Sequence, residues 1–404
     1  MIIFYKQLIN KPTACHIIKR NSSTTTTAII NSFKAIDRLD QRKNLIGFSF
    51  EELSAELATL PNTKSYNTNQ IWQYLYRQGY TTFGSMTTLS KPLRETLEKN
   101  YKISYGDIQL EKIAKDQTKK YLIGFDTKQD PGAIVESVLI PEPQRSSLCV
   151  SSQIGCSLQC SFCHTGTQKL LRNLKPGEVV GQYMIAASRA GDFPLNKNER
   201  RTVSNIIFMG QGEPLYNYRN TSKSIKILTH SEGLNFPKSK IVVSTSGVAP
   251  LIPKLASELG VSLAVSLHAT KNDLRNELVP LNKTYPIEVV LDSCKQYSQL
   301  MGKKGRRITF EYVMLHKVND SLQEAHLLVK LLKQLPSHIN LIPFNPWPGS
   351  KYTTSNWDQI EKFSQIIMNN GIPCTIRRPR GKDILAACGQ LKSSEQNKNN
   401  LNVY

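Results

Sequence analysis

No Asp or Glu precedes Asp37, and that stretch carries Lys6, Lys11, Lys19, Arg20 and Lys34 with a Ser/Thr run from Ser22 to Thr27. It also lacks the long apolar stretch of a secretory signal. An acid-free, basic, hydroxyl-rich beginning has the composition of an organellar transit peptide. Residues 1–36 are therefore expected to be a transit peptide or a disordered extension, with a mitochondrial address expected and the cytoplasm as the alternative. No run of about 18 apolar residues occurs, so no membrane span is expected. Acidic residues are scarce throughout: 31 Asp and Glu stand against 52 Lys and Arg, a net charge of +21 over 404 residues. That balance favours a polyanionic partner, nucleic acid or an acidic membrane surface. Eight cysteines in 404 residues are too sparse for a secreted disulfide framework. A chain this long buries a core without staples.

The cysteines lack something as well. Cys156, Cys160 and Cys163 stand together as C-x3-C-x2-C, with no fourth cysteine close behind. An electron-transfer [4Fe–4S] centre takes four thiolates, and a structural zinc site four closed ligands. Three thiolates hold three irons of a cubane and leave the fourth open to bind and reductively split a small molecule. A three-cysteine zinc site completed by His164 is the alternative reading of the same residues.

Organisation follows from periodicity. From Phe48 to about Leu97 the apolar spacing is helical, broken at Pro61 and Asn62 and reopened at Ser90 and Pro92. Residues 47–110 read as a helical, RNA-binding module. Residues 111–145 read as a strand-rich connector, with a turn at Asp130-Pro131-Gly132. Residues 146–350 alternate, with strands expected at Leu148–Ser151, Asn205–Met209, Lys240–Ser244, Ser262–Leu267, Arg307–Leu315 and Asn340–Phe344. Helices are expected between them, at Pro176–Ala190, Asn220–Leu228, Val248–Leu259, Pro286–Leu300 and Leu322–Leu335. Six βα units in a row predict an α/β fold, a partial (βα)6 barrel behind a small helical domain. Residues 351–392 form a C-terminal segment with a helix near Trp357–Asn370 and a strand at Pro373–Arg377, and 393–404 an Asn-rich disordered tail.

Chemistry belongs at the C-terminal ends of such strands. The three-cysteine loop follows the first strand. Gly210-Gln211-Gly212-Glu213-Pro214 follows the second, Ser244-Thr245-Ser246-Gly247 ends the third, Ser266-Leu267-His268 the fourth and Asn345-Pro346 the sixth. Each alone reads as a turn or cap. Together they suit a ring around one ligand with ribose hydroxyls, a carboxylate and an amine. Two basic runs stand out: Lys303, Lys304, Arg306 and Arg307, and Arg377, Arg378, Arg380 and Lys382 beside Cys388. Both are candidate phosphate-neutralising patches, and both also read as solvated faces.

Cys149-Val150-Ser151-Ser152-Gln153-Ile154-Gly155-Cys156, Gly210-Gln211-Gly212-Glu213-Pro214-Leu215 and Ala386-Ala387-Cys388-Gly389-Gln390-Leu391 together resemble the radical S-adenosylmethionine RNA methyltransferases of the RlmN/Cfr family. The resemblance runs from about residue 48 to residue 392. It implies a [4Fe–4S] cluster on Cys156, Cys160 and Cys163. It implies S-adenosylmethionine contacts at Gly212, Glu213, Ser244, Ser266, Leu267, His268 and Asn345, with two such molecules used per turnover. It implies that Cys388 is itself methylated, that a methylene radical on its sulfur adds to carbon 2 of adenine, and that the RNA is briefly tied to the enzyme. Glu136 falls on the family's proposed proton acceptor and Cys149 on the thiol that resolves the adduct as a disulfide. The implied partners are large-subunit ribosomal RNA, transfer RNA beside the anticodon, an electron donor such as ferredoxin or flavodoxin, and a disulfide reductant, with the enzyme a monomer. Cys374, Cys15 and Cys294 read as structural. Carbon-8 methylation, and a non-catalytic iron–sulfur or zinc RNA-binding protein, stay open as alternatives. Lys382 and Leu385 stand where the family often has acids, and Gln211 where it often has Met.

Overall fold

The β-branched runs of the middle of the chain leave little choice of structure: Ile241–Thr245, Ser262–Ser266 and Ile308–Met314 are largely buried on both faces, with Glu311 the one carboxylate among them. The computed structural model describes residues 40, 42–126, 130, 132–143, 145–196, 199–302 and 307–392. The expectations for residues 1–36, for the tail from 393, for Pro131 and for Lys303 to Arg306 lie outside them.

Among the described residues, ten strands form one sheet. In chain order they are β1 (Asp107–Ile113), β2 (Lys119–Gly124), β3 (Ile134–Glu142), β4 (Arg145–Cys149), β5 (Asn205–Phe208), β6 (Ile241–Thr245), β7 (Ser262–Ser266), β8 (Ile308–Met314), β9 (Ser337–Pro343) and β10 (Cys374–Ile376). They lie side by side in that sequence order, β10 at one edge and β1 at the other. Strands β4 to β10 pair parallel, and β1 to β4 pair antiparallel. The sheet is thus the expected α/β partial barrel with a seventh parallel strand and an antiparallel extension. The register sets Val138 opposite Cys149 and Leu122 opposite Glu136. Alternation then puts Glu136, Val138 and Cys149 on one face, with Glu136 and Cys149 as diagonal neighbours.

Helices α4 (Pro176–Arg189), α5 (Tyr218–Thr229), α6 (Ile287–Met301), α7 (Leu322–Leu332) and α8 (Trp357–Asn369) accompany the parallel strands. The helix expected at Val248–Leu259 is instead a 3-10 turn (Ala249–Leu251), a short α segment (Ile252–Lys254) and a π turn (Leu255–Leu259). Pro250 and Pro253 each remove an N–H that a continuous ladder needs. A short helix that periodicity did not reveal spans Asn272–Leu278.

The preceding helices α1 (Phe50–Ala58), α2 (Ser65–Tyr76) and α3 (Lys91–Asn100) pack on this body. Ser49 and Glu52 close a reciprocal capping box at the start of α1. Trp72, 1% exposed, meets Phe50 and His230 in one aromatic cluster, with Phe50 stacked on His230 at 4.7 Å. Helix α4 crosses the chain at Tyr105 so closely that a Cβ on Gly181 would lie 2.2 Å from the Tyr105 carbonyl oxygen. Gly181→Ala must push that helix away. The expected cost is about 2 kcal/mol, read as a lower thermal midpoint; an unchanged midpoint would contradict the close packing.

Candidate active site

The loop after β4 is shaped by glycine before it is shaped by cysteine. Gly155 has φ +78°, and a Cβ there would sit 2.1 Å from the Lys169 carbonyl oxygen. Gly166 leaves room for the Cys160 backbone, whose carbonyl oxygen a Cβ would approach to 2.8 Å. So folded, the loop turns Cys156, Cys160 and Cys163 into a single cleft of about 970 Å³, open mouth included, at the C-terminal ends of the parallel strands. Burial raises all three thiols, Cys156 to about 11, and each of the three feels the charge of another cluster-loop or nearby cysteine. Bare thiols in such a place want to be neutral, or bound to a metal that takes the proton's place.

Among the described residues, no three His, Cys, Asp or Glu side chains converge as ligands of one ion. A single zinc needs all its ligands within about 2.3 Å of one point. A cubane puts each thiolate on a different iron, and three thiols spread around one cleft suit it. His164, the proposed fourth zinc ligand, is engaged elsewhere: Nδ1 lies 3.3 Å from the Gln390 carbonyl oxygen and the ring stacks on Trp347 at 4.8 Å.

The opposite wall comes from the strand ends. Gly212 (φ +91°), Glu213, Ser244, Ser266, His268 and Asn345 all line the cleft. Leu267 does not: its side chain is fully buried in the core, so only its backbone is near the site. Glu213 is 2% exposed, and burial pushes its carboxyl up to about 7. Its two oxygens accept the N–H groups of Leu215 (3.0 Å) and Ser246 (2.8 Å). Burial drives His268 down to about 3, so the ring is neutral. Its Nδ1 accepts the Val313 N–H at 3.1 Å, which leaves the proton on Nε2. Asn345 donates to the Cys388 carbonyl oxygen at 3.2 Å, while its own Oδ1 is buried without a partner among the described residues. A buried orphan acceptor on a cleft wall asks for a donor from a ligand. A buried carboxylate and an unsatisfied amide oxygen fit a polar molecule carrying an ammonium group.

Cys388 has no strand or helix of its own. Its loop is lashed by its neighbours: the His164 N–H donates to the Gly389 carbonyl oxygen (2.8 Å), Thr165 Oγ1 to that of Leu391 (2.6 Å), and Gln390 Nε2 to that of Pro346 (2.7 Å). Cys388 therefore lines both the main cleft and a smaller adjoining cavity. Cys149 lines that second cavity too, packed with Val138, Ala386 and Leu391. Burial, and then the Cys388 charge, push the Cys149 thiol up to about 12. Glu136 is placed differently. Its carboxylate pairs with Lys120 Nζ at 2.9 Å, accepts the Lys392 N–H at 2.8 Å, and opens on a third pocket that Cys388 does not line. Cys374 lies on β10, away from both cavities.

Two residues escaped the sequence reading. Arg377, taken as part of an RNA-facing run, lines the cavity of Cys149 and Cys388, and Cys388 is the main cause holding its guanidinium more firmly protonated. Its place at the end of β10 was the available signal. Arg275 is fully buried with no acid beside it among the described residues. Its guanidinium donates to the carbonyl oxygens of Ser246 (2.7 Å), Ser266 (2.9 Å) and Leu267 (2.9 Å) and to Asn282 Oδ1 (2.9 Å). It thereby ties the ends of β6 and β7 together beneath the cleft. No sequence signal marks it. Arg275→Met strands four acceptors and should cost about 3 kcal/mol in chemical denaturation. Arg275→Lys should recover only part, because one ammonium cannot replace the fork. A neutral Arg275→Met would show that the strand ends hold without it.

Comparison with known proteins agrees with this geometry. Residues 150–329 match the radical SAM superfamily, and residues 43–103 match the ribosomal RNA large subunit methyltransferase N-terminal domain. The dual-specificity RNA methyltransferase RlmN of Chelativorans sp. is 48% identical over 88% of this chain and 90% of its own. That of Bartonella bacilliformis is 46% identical over 94% of both. The crystal structure of a radical SAM methyltransferase from Sphaerobacter thermophilus, 42% identical, superposes with a TM-score of 0.80 over 87% of this chain and all of that one. The family implies a [4Fe–4S] cluster and S-adenosylmethionine. Glycine-shaped cysteine loop, strand-end ring and relatives along most of the length lead to one statement: the chain belongs to the RlmN family of radical S-adenosylmethionine RNA methyltransferases.

Proposed function

We propose that the enzyme methylates carbon 2 of a specific adenine in large-subunit ribosomal RNA and in transfer RNA next to the anticodon, through a methyl-cysteine intermediate. The observation that carries the proposal is the position of Cys388, on the wall shared by the three-cysteine cleft and the cavity of Cys149. In this reading Cys156, Cys160 and Cys163 hold the cluster, and Gly212, Glu213, Ser244, Ser266, His268 and Asn345, with the Leu267 backbone, hold S-adenosylmethionine. When bound, these two groups supply the one-electron chemistry that turns an S-methyl group into a carbon radical; two S-adenosylmethionine molecules serve one turnover.

The chain's own residues do the rest. The Cys388 thiolate takes a methyl group by displacement, and its sulfur later carries the carbon that bonds to adenine. Arg377 faces the same cavity as Cys388. The carbon-2 proton is assigned to Glu136 on the family resemblance, since its carboxylate pairs with Lys120 and opens on a pocket that Cys388 does not line. Cys149, a thiol raised to about 12 and so unreactive at rest, attacks the Cys388 sulfur once an adduct stands there. The unpaired electron left by the addition passes back to the electron carrier. The carbon–sulfur bond breaks with its pair on the former methyl carbon, that carbon takes a proton as methylated RNA leaves, and the disulfide formed awaits an external dithiol. Ferredoxin or flavodoxin would supply the electron. An adenine edge buried in a stack cannot reach this wall, so the base must be flipped or lie in a loop. The acid-free N-terminus would carry a mitochondrial address; a fluorescent fusion found only in the cytoplasm would remove that part.

Three outcomes test the proposal. Nucleoside mass spectrometry should show 2-methyladenosine, and a carbon-8 product instead would overturn the regiochemistry. Cys388→Ala should abolish methylation, whereas Cys149→Ala should accumulate a protein–RNA adduct on denaturing gels; methylation by Cys388→Ala would end the thioether route. Glu213, with its carboxyl raised to about 7, holds an ammonium group only when ionised. S-adenosylmethionine affinity should therefore fall as pH drops from 8 to 6. Glu213→Gln should bind roughly tenfold more weakly with the pH dependence gone; a pH-flat wild type would remove Glu213 from that role.

A further inference from the structure

A second basic feature lies at the far end of the sheet. The chemistry sits at the C-terminal ends of the parallel strands. At their N-terminal ends, β8, β9, α7 and the turn after α8 enclose a pocket of about 970 Å³, open mouth included. Strand β8 has seven residues between the two ends, so the pocket lies roughly 20 Å from the cleft. It belongs to neither cavity described above.

Its walls carry cations and no carboxylate. Arg307 enters from the start of β8, and His326, Lys330 and Lys333 come from α7 and its C-cap. The last three follow i, i+4, i+7 spacing and so share one helical face. Arg307 is the described member of the Lys303–Arg307 run, which the methylation chemistry leaves without a task. Neither Arg307, Lys330 nor Lys333 has an ion-pair partner among the described residues. Ser337, also on the wall, is 4% exposed, and its hydroxyl finds no hydrogen-bond partner among the described residues. Like charges gathered without an acid repel one another, and a buried unsatisfied hydroxyl costs further free energy. An oxyanion between them relieves both, through ionic contacts from the cations and a hydrogen bond from Ser337.

We propose that this pocket binds a backbone phosphate of the RNA substrate, as an accessory grip away from the reacting base. It rests on the RNA reading above. An RNA the size of tRNA is long enough to reach both ends of the sheet, and one phosphodiester held here would orient the molecule without touching the chemistry. Lysines near a helix C-terminus also stabilise the helix by themselves, so the test must separate the two roles.

The cluster-loaded full chain, with a tRNA transcript as probe, supplies the test. Arg307→Glu/Lys330→Glu/Lys333→Glu should bind tRNA at least tenfold more weakly at 0.15 M salt. Its log Kd against log salt slope should be smaller by about one or two. Cluster content, thermal midpoint and 5′-deoxyadenosine formation without RNA should not move. Equal affinity and slope would overturn the proposal. Lysine-reactive footprinting of the unmutated enzyme gives a reading independent of folding: tRNA should protect Lys330 and Lys333. No protection by tRNA, or equal protection by inorganic phosphate at the same phosphate concentration, would overturn it and mark a helix-stabilising cluster or a free-anion site. Methylation at carbon 8 or none at all would sink the carbon-2 methylation reading while leaving the footprint to stand or fall alone.

Discussion

Cys388 is held by backbone hydrogen bonds rather than by regular structure, and every part of the site depends on that lashing. A loop between no two elements would wander, and a reactive sulfur misplaced by an ångström loses much of its effective concentration. Here the loop's carbonyl oxygens accept from the cysteine loop (His164 N–H, Thr165 Oγ1) and from Asn345 after β9, while the loop donates from Gln390 Nε2 to the Pro346 carbonyl oxygen and from the Lys392 N–H to the Glu136 carboxylate on β3. The same bonds hold the cysteine loop. Cys163 and Cys388 are thus one structural unit although 225 residues separate them in the chain. Disturbing either loop disturbs both.

Around this unit the fold solves a burial problem. Parallel strands covered on both sides are largely apolar along their length, and most of their polar side chains stand at the ends, the hydrogen-bonded pair of Glu311 and Asn340 apart. Those ends present Glu213, Ser244, Ser266, His268 and Asn345 to one cleft. Each buried polar group is answered by a backbone partner or left for a ligand. Glu213 takes two amides, His268 takes one, and Asn345 Oδ1 takes none. Arg275 answers from below, giving its donors to carbonyl oxygens of the strand ends. With no acid beside it, its burial lowers its proton affinity to about 10, still far above neutral pH, so its charge persists.

The thiols divide by environment. Three in the cleft are raised by burial and by their neighbours' charge, the condition a metal relieves. Cys149 is raised by burial among Val138, Ala386 and Leu391. Its partner across the cavity faces Arg377 and Asn345. Two cysteines on one small cavity therefore differ in reactivity because one sits in an apolar strand and the other on a half-exposed loop. Glu136 shares a sheet face with Cys149 yet opens on a different pocket, held by Lys120.

The sequence by itself determined the parallel strands, the cysteine loop after the first of them and the small polar residues at their ends. Hydrophobic runs, glycine turns and thiol spacing are local signals, and local signals survive in one dimension. It missed the break at Pro250 and Pro253 only by weighting periodicity over the lost N–H groups. Other features needed the folded chain. Arg275 looks like any helix-surface arginine until helix Asn272–Leu278 turns it under the strand ends. Arg377 reads as one of a basic run until pairing of β10 with β9 aims it at two sulfurs. Leu267 reads as part of a binding motif until strand alternation sends its side chain into the core. Pairing of β3 with β4 joins Glu136 and Cys149 on a face, and a lashed loop brings Cys388 to the cavity of Cys149 while Glu136 opens on another pocket. Partners far apart in sequence meet only through strand register and loop docking, which no local residue pattern encodes.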